Sequence, residues 1–175
     1  DKGFAGMVGG FDGDSGTTRR VIGSFLTWMA EKKTPCFIVA TANDLTKLPP
    51  ELLRKGRWDE MFFIDLPTPS ERVEIWKVQI AMRNRDPKKF DLPKLADVTE
   101  GWTGAEIEAL FGEGLFAAFD KDEEPDTELL VELSTKTVPL SKTMGPQIAS
   151  LRAWADGKCR PASTNIHYGN QNPKQ

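Results

Sequence analysis

The hydrophobic pattern of the chain changes near Pro67, and this change constrains the fold more than any other feature. Before Pro67, helical and strand-like apolar patterns alternate, which is typical of an α/β sheet. After Pro67, the apolar residues recur at helical spacing only. We therefore predict part of an α/β core over residues 1–67, an all-helical subdomain over residues 68–159, and a polar, poorly ordered tail over residues 160–175.

Two short apolar runs supply the predicted strands of the α/β portion. Residues 36–40 (Cys-Phe-Ile-Val-Ala) are apolar on both faces, as expected for a strand in the centre of a covered parallel sheet. Residues 61–64 (Met-Phe-Phe-Ile) form the second run, and prolines follow it closely. The glycine-rich opening, residues 3–16, predicts a loop, because glycine disfavours the interiors of helices and strands.

Apolar residues at helical spacing, often preceded by a capping side chain, predict the helices. These helices are predicted over residues 17–31, 51–54, 71–83, 92–98, 103–119, 127–136 and 144–155.

Composition and charge argue against several classes of protein. The chain has 175 residues, about one domain by the usual length prior. Its 23 Lys and Arg residues against 26 Asp and Glu give a net charge of -3, which does not favour nucleic acid as the main partner. No apolar run approaches the roughly 20 residues of a membrane span. The distant Cys36 and Cys159 indicate a reduced, intracellular protein, and with the single His167 they predict no metal site.

The glycines and tryptophans favour packing roles over cofactor binding. The phosphate-binding pattern Gly-x-x-x-x-Gly-Lys-Ser/Thr does not occur in the sequence. Residues 112–117 match the dinucleotide pattern in letters, but they lie inside a helical apolar pattern with no strand before them. Small residues that let two helices pack closely are the favoured interpretation. Core or lid packing is likewise predicted for Trp28, Trp76, Trp102 and Trp154.

The stretch from Phe37 to Leu66 joins an apolar run ending in Ala-Thr-Ala-Asn to Leu-Leu-Arg, Gly-Arg-Trp-Asp and a second apolar run. It closely resembles the second region of homology of AAA ATPases, with Trp58 where phenylalanine is usual. Residues 101–107 resemble the segment that opens the lid helix in the same family. The chain also resembles the cyanobacterial AAA subgroup that some algal plastid genomes encode. This resemblance lies in residues 13–19, 25–28 and 138–144.

The resemblance implies that the chain holds only part of a P-loop NTPase core, followed by a helical lid subdomain. Asp1 matches the last Asp of the family's Walker B motif, so the magnesium-binding Asp and the catalytic Glu are expected just upstream. The Walker A loop is expected further upstream, and the chain is accordingly expected to be a fragment or a processed chain. ATP and Mg²⁺ are the implied cofactors, with the ligands mostly outside the chain. The strand that normally lies between the two predicted strands is also expected to be absent.

The resemblance further implies catalytic roles for three polar residues. Asn43 corresponds to sensor 1, which holds the attacking water or touches the γ-phosphate; a turn or cap asparagine is the alternative. Arg54 and Arg57 correspond to arginine fingers, which act on the ATP of a neighbouring subunit. The alternative for them is a solvated basic turn paired with Glu51 and Asp59.

Four residues of the implied lid match positions that border the adenine base. Ile75 and Gln79 lie one helical turn apart, although core packing is an alternative for Ile75 and histidine is frequent where Gln79 stands. Gly104 and Ala105 would let the backbone approach the base. No arginine follows them in a sensor-2 position. The glycine-rich opening matches the region of the second pore loop, although an ordinary loop is the favoured interpretation there.

The function implied by the resemblance is hydrolysis of ATP in a hexameric homo-oligomeric ring that remodels protein substrates, in the cytoplasm or in the plastid stroma. This chain alone is predicted to be inactive. Two alternatives stay open. The first is an interaction module without catalysis, and the second is a nucleic-acid motor or clamp loader of the wider superfamily. The acidic balance of the chain argues against the second.

Overall fold

The computed structural model describes residues 15–43, 48–54 and 56–163. The chain divides into two compact units, with the first ending at Asp59 and the second beginning at Glu60. The division therefore precedes the change of sequence pattern at Pro67, because the strand before Pro67 pairs within the second unit. The glycine-rich opening and its predicted loop lie outside the described residues, apart from the start of the first helix.

The first unit contains one long helix and one short turn of helix. Helix α1 spans Ser15–Glu31 and begins two residues before the predicted start. A single 3-10 turn covers Pro50–Leu53, where the sequence predicts a short helix. Pro50 fits the first position of this turn, because a proline lacks the N–H that would be unpaired there. Ile22 of α1 and Leu52 of the turn are the buried hydrophobic residues described in this unit.

The strand predicted over residues 36–40 is not formed, which corrects the sequence interpretation. These residues have no regular secondary structure, and Phe37 and Val39 are 94% and 75% exposed. A strand is stable only when neighbouring strands satisfy its backbone N–H and C=O groups. Within the described ranges, the first unit offers no strand to pair with this segment. An apolar run alone could not reveal that.

The second unit is mainly helical, and a small parallel sheet joins its two ends. The sequence predicted the first strand, and each of the longer helices lies within two residues of its predicted limits. The short helix Leu140–Thr143 and the second strand, Arg160–Pro161, were not predicted. The elements are β1 (Phe62–Phe63), α2 (Pro69–Met82), a 3-10 turn (Pro87–Lys89), α3 (Leu92–Val98), α4 (Gly104–Phe119), α5 (Thr127–Ser134), α6 (Leu140–Thr143), α7 (Gly145–Ala155) and β2 (Arg160–Pro161).

The two longest helices of this unit begin at reciprocal capping boxes. At α2, the Thr68 side chain accepts a hydrogen bond from the backbone N–H of Glu71, whose carboxylate accepts from the N–H of Thr68. At α4, Thr103 and Glu106 repeat the same arrangement. Each box satisfies N–H groups that the start of a helix leaves unpaired, which is why both helices begin where they do.

A single hydrophobic core lies between α2, α3, α4 and α5. Trp76 is fully buried at its centre, and its ring meets Phe111 edge-on with centroids 6.2 Å apart. The indole N–H of Trp76 donates to the Thr99 hydroxyl oxygen over 3.3 Å, so the buried polar atom is satisfied. Trp102 is also buried, as predicted, whereas Trp28 of the first unit is 47% exposed.

The interpretation of residues 112–117 as a packing motif is confirmed at Gly114. A Cβ atom at Gly114 would lie 2.5 Å from Cδ2 of Leu130, so a larger residue there would require the Leu130 side chain or α5 to shift. A Cβ atom at Gly112 would meet no atom within 4 Å. The dinucleotide-like letters therefore reflect contact between two helices.

The beginning of the predicted tail is ordered. β2 pairs in parallel with β1, with Phe62 opposite Arg160. The backbone N–H of Arg160 donates to the carbonyl of Met61 over 2.8 Å, and the N–H of Ala162 donates to Phe63 over 2.9 Å. These donors satisfy carbonyls of β1 that would otherwise lack a partner, which gives residues 160–163 a place in the fold. The rest of the predicted tail, 164–175, lies outside the described residues.

An ion pair between Arg152 and Asp65 connects α7 to the segment that follows β1. Nε and Nη2 of Arg152 donate to the carboxylate of Asp65 over 2.8–3.0 Å, and the Asp65 side chain is only 7% exposed. The Ser163 hydroxyl also donates to Glu71 at the start of α2. The end of the helical unit is thus bonded both to the strand and to the first long helix.

Candidate functional site

Asn43 lies at the exposed end of the irregular segment that replaces the predicted strand. The sequence placed it at the carboxyl end of a strand, where an amide could meet a nucleotide phosphate. The described residues give it an exposed position in a bend instead. Its role as sensor 1 stays a prediction.

Arg54 follows the 3-10 turn and is exposed, with an extended backbone conformation (φ -68°, ψ 141°). The indole N–H of Trp58 donates to the carbonyl of Leu52 over 2.7 Å, which ties the chain after Arg54 back onto the turn. Phenylalanine, the residue that the AAA resemblance leads us to expect at this position, has no group that could make this bond. Gly56 supports the tight return with a φ of +87°, a value that favours glycine.

Arg57 is half-buried and is held against helix α1. Its Nη1 atom donates to the backbone carbonyl of Leu26 over 3.4 Å. Among the residues that the structure describes, neither Arg54 nor Arg57 forms an ion pair with Glu51 or Asp59, the partners expected for a solvated basic turn. The two arginines therefore differ: Arg54 is an exposed cation, and Arg57 is anchored within its own unit.

In the second unit, three of the four predicted base-side residues come together at the start of α4. A Cβ atom at Gly104 would lie 3.7 Å from Cδ1 of Ile75, which is ordinary contact distance. Gly104 is the first residue of α4, and the neighbouring Ala105 is exposed. Ile75 is half-buried and also packs against the core, so its predicted role and its packing alternative are compatible.

Gln79, the fourth predicted base-side residue, is hydrogen-bonded to the residue that follows its own helix. Its side-chain oxygen accepts a hydrogen bond from Nη1 of Arg83 over 2.7 Å. Nη2 of Arg83 contacts Glu108 over 3.2 Å, and the guanidinium lies 5.8 Å from the centroid of Phe111. Gln79 is thus part of a network that links α2 to α4.

Glu106 joins a second segment to the start of α4, a contact that was not predicted from the sequence. One oxygen of Glu106 accepts from the N–H of Thr103 over 2.8 Å, and the other accepts from the N–H of Leu140 over 2.7 Å. Partial burial acts to raise the pKa of Glu106, but these hydrogen bonds and that of the Thr103 hydroxyl leave the pKa below its ordinary value. The Thr-x-x-Glu pattern could have revealed the cap. The contact with Leu140 has no signal in the sequence.

The segment before α4 is fixed by a glycine and by α6. Gly101 has a φ of +77°, and a Cβ atom there would lie 2.7 Å from the hydroxyl oxygen of Ser141. Leu140 and Ser141 belong to residues 138–144, which were noted only for their likeness to one AAA subgroup. They therefore lie beside the start of α4, next to the predicted base-side residues.

The sequence matches a known family over its first third. Residues 6–66 match the ATPase family associated with various cellular activities (AAA). The chain belongs to the AAA family. The resemblance inferred from residues 37–66 is thereby confirmed. AAA domains are P-loop NTPase domains that bind ATP with Mg²⁺, and the two-stranded parallel sheet with its helices is consistent with part of an α/β core.

Individual relatives extend the match through the helical unit. The chain is 46% identical over 165 residues to the AAA domain-containing protein ycf46 of Pyropia yezoensis, covering 93% of this chain and 33% of that protein. It is 45% identical over 165 residues to the ycf46 protein of Guillardia theta, covering 93% and 32%. These relatives confirm the plastid-encoded AAA subgroup. The chain spans about a third of their length.

A more distant relative carries an explicit activity in its name. The chain is 34% identical over 131 residues to the peroxisomal ATPase pex1 of Schizosaccharomyces pombe, covering 74% of this chain and 13% of that protein. A proteasome-activating nucleotidase of Thermococcus kodakarensis is 34% identical over 113 residues, covering 64% and 28%. The names of these two relatives, an ATPase and a nucleotidase, both denote nucleotide hydrolysis.

The start of α4 leaves its backbone open, and base contacts there stay a prediction. Gly104 has no side chain and Ala105 is exposed at the start of α4, so a flat ring can approach the backbone there. In the described ranges, no three His, Cys, Asp or Glu residues are grouped so that they could hold a metal ion. None of the helices described is both long enough and apolar enough to span a membrane.

Proposed function

We propose that this chain is the C-terminal part of an AAA ATPase that hydrolyses ATP in a hexameric ring and remodels protein substrates. The observation that carries the proposal is the meeting of Ile75 and Gly104, with Ala105 exposed beside them, in a chain that also carries the family's arginine motif. On this proposal the helical unit is the lid subdomain, and the protein works in the cytoplasm or the plastid stroma. ATP supplies the phosphoryl group that is transferred to water.

Arg54 is proposed to act on the ATP of a neighbouring subunit. It is exposed, and its guanidinium presents a planar, permanently charged fork that suits phosphate oxygens. Charge that develops on the γ-phosphate in the transition state is stabilised more than the charge of bound ATP, so this contact accelerates hydrolysis. Arg57 is proposed to assist, after release of its hydrogen bond to Leu26.

Asn43 is proposed to orient the attacking water or to contact the γ-phosphate, since its exposed amide offers both a donor and an acceptor. Ile75, Gly104 and Ala105 are proposed to border the base. Gln79 is proposed to join them only when its hydrogen bond to Arg83 is exchanged for one to the nucleotide. The Mg²⁺ ligands are proposed to lie in the remainder of the AAA domain.

A subunit-mixing experiment tests the shared site in a full-length AAA protein that carries this sequence. Arg54→Ala should leave ATP binding nearly intact and reduce hydrolysis by roughly 10³-fold, the scale of arginine fingers. Lys33→Ala, at another exposed cation of the same unit, is the matched control and should leave hydrolysis unchanged.

The Arg54→Ala subunits are then mixed with subunits whose Walker A lysine is changed, which cannot bind ATP. Wild-type arginines of the second kind face intact nucleotide sites of the first, so part of the activity should return. Loss without recovery on mixing would contradict a shared site, and no loss in the single variant would indicate a surface role.

The chain of 175 residues should neither bind ATP tightly nor hydrolyse it, because its sequence has no phosphate-binding loop. Calorimetric titration with Mg-ATP measures this directly. Micromolar affinity would overturn the assignment of phosphate binding to the remainder of the AAA domain.

A further inference from the structure

Helix α4 contains the pattern Glu-x-x-Phe twice, as Glu108–Phe111 and as Glu113–Phe116. The first copy is filled by an arginine of the same unit. Nη2 of Arg83 lies 3.2 Å from a carboxylate oxygen of Glu108, and its guanidinium lies 5.8 Å from the ring centroid of Phe111. One guanidinium thus pairs with the acid and covers the face of the ring, which is a favourable use of its planar charge.

The second copy has the same spacing but receives no arginine from the described residues. Phe116 is 78% exposed, and Phe119, one turn further along the same face, is 80% exposed. Glu113 is exposed and forms no hydrogen bond or ion pair with any described residue. Lys136, which follows the C-terminus of α5, is close enough to interact electrostatically with Glu113, but its ammonium group is bonded to Glu132 over 2.7 Å.

The turn that follows Phe119 is strongly acidic. Six of the nine residues 120–128 are Asp or Glu. Three of the six have a structural task, because Glu124 pairs with Arg85, Glu128 pairs with Lys94 and Asp126 caps α5. The other three, for which the described part of the chain shows no ion pair, are Asp120, Asp122 and Glu123.

This acidic turn follows the C-terminus of α4. The negative end of the helix dipole lies there, so acidic residues are unfavourable at this position. The last turn of α4 contains no basic residue that would offset them. The backbone is nevertheless well fixed, since the N–H of Glu123 donates to the carbonyl of Ala118 over 3.0 Å. The backbone that carries the negative charge and the two rings is therefore held in one arrangement before any partner binds, which lowers the entropic cost of binding.

We propose that α4 presents a docking surface for an arginine-bearing apolar segment of another protein. We call it the Phe116 surface, and it consists of Glu113, Phe116, Phe119, Asp120, Asp122 and Glu123. Arginine is the side chain that matches it, because a guanidinium binds carboxylates and stacks on aromatic rings, as Arg83 does on the same helix. The acidic charge repels an anionic membrane surface, so a protein segment is the occupant.

A peptide titration tests this proposal on the chain of 175 residues. The probe is a fluorescein-labelled amphipathic peptide of 14 residues, composed of arginine and leucine, whose binding is followed by fluorescence anisotropy. The wild-type chain should bind it, and the double variant Phe116→Gln/Phe119→Gln should bind at least about tenfold more weakly. Glutamine is a good helix former, so α4 is retained. A probe with lysine in place of arginine should bind several-fold more weakly, because ammonium lacks the planar fork.

The matched control lies on α2, where Val78 and Met82 are exposed one helical turn apart, at 52% and 69%. Val78→Gln/Met82→Gln removes a comparable apolar pair close to Lys77 and Arg83, and it should leave binding unchanged. Equal weakening in both double variants, or equal binding by the Phe variant and the wild type, would overturn the proposal. Sedimentation that shows a wild-type dimer abolished by the Phe substitutions would also overturn it, because the occupant would then be a second copy of the chain.

Discussion

The two units differ in how much of their apolar sequence they bury by themselves. In the first unit, Phe37 is 94% exposed and Val39 is 75% exposed, although both belong to a run that resembles a central strand. In the second unit, Trp76, Ile80 and Phe111 are almost completely inaccessible to solvent. The second unit therefore carries the interactions needed for its own stability. The first unit exposes an apolar segment, residues 36–40, whose sequence is typical of a strand inside a larger sheet.

The difference has a physical origin in the kinds of contact that helices and sheets require. Helix α2 is stabilised by neighbours that lie within the next 60 residues, and the capping box at Thr68 is entirely local. Residues 36–40 need a strand on each side before their backbone groups are satisfied. A segment that exposes both unpaired backbone N–H and C=O groups and large apolar side chains favours self-association. The chain is accordingly expected to associate in solution through its first unit.

The largest expected effect is on stability and comes from removing a buried side chain of the second unit's core. Trp76→Ala should lower the free energy of unfolding of the second unit by about 3–5 kcal/mol, because it leaves a cavity among fully buried residues. Phe37→Ala should change the free energy of unfolding of the first unit by less than about 0.5 kcal/mol, because the Phe37 side chain is exposed. Urea unfolding monitored by hydrogen exchange resolves the two units and measures the free energy of unfolding of each variant. A comparable loss in the two variants would contradict the described burial.

The same division between the two units decides which elements could be predicted from the sequence. The long helices of the second unit were predicted within two residues because spacing and caps are local signals. β2 was not predicted, since Arg160–Pro161 has no apolar alternation and gains its structure only from β1. At the site, the motifs predicted Ile75 and Gly104, which do meet, but the contact of Glu106 with Leu140 joins positions 34 residues apart and could not be predicted.

The next largest effect on stability comes from the ion pair that connects α7 to the segment after β1. Arg152→Ala leaves the nearly buried carboxylate of Asp65 without its guanidinium partner, and should cost about 2 kcal/mol. Lys77→Ala is the control, because the ion pair of Lys77 with Glu74 is exposed and should contribute at most about 0.5 kcal/mol. Chemical unfolding at two salt concentrations measures both. If the two substitutions cost the same, the Asp65–Arg152 pair behaves as a surface pair.

A pair of glycine substitutions on α4 should have opposite signs. Gly112→Ala should stabilise the second unit by up to about 1 kcal/mol, because alanine is the better helix former and its methyl group meets no atom within 4 Å. Gly114→Ala should destabilise it by about 1 kcal/mol, because the methyl group would lie 2.5 Å from Leu130 and overpacking exceeds the propensity gain. Thermal unfolding of the two variants is the measurement. Stabilisation by both would mean that α5 can move away from α4 freely.

The smallest expected effect is a pH dependence at the junction of α4 and α6. Hydrogen bonds from Thr103 and Leu140 hold the pKa of Glu106 below its ordinary value despite partial burial. Because the folded-state pKa is lowered, the ionised carboxylate stabilises the fold above the unfolded-state pKa of about 4.3, and this contribution is lost as the pH falls through the folded-state value.

Glu106→Gln isolates this contribution, because glutamine can still complete the capping box but does not titrate. The wild type should be more stable than the variant at pH 7, and the difference should shrink towards zero near pH 3. Urea midpoints at several pH values provide the measurement, with Glu100→Gln as the control at an exposed position. A stability difference that stays constant with pH would show that the neutral carboxyl caps α4 and holds Leu140 equally well. The junction beside the predicted base-side residues would then be insensitive to the charge of Glu106, and its stability would rest on the geometry of Gly101 and Ser141.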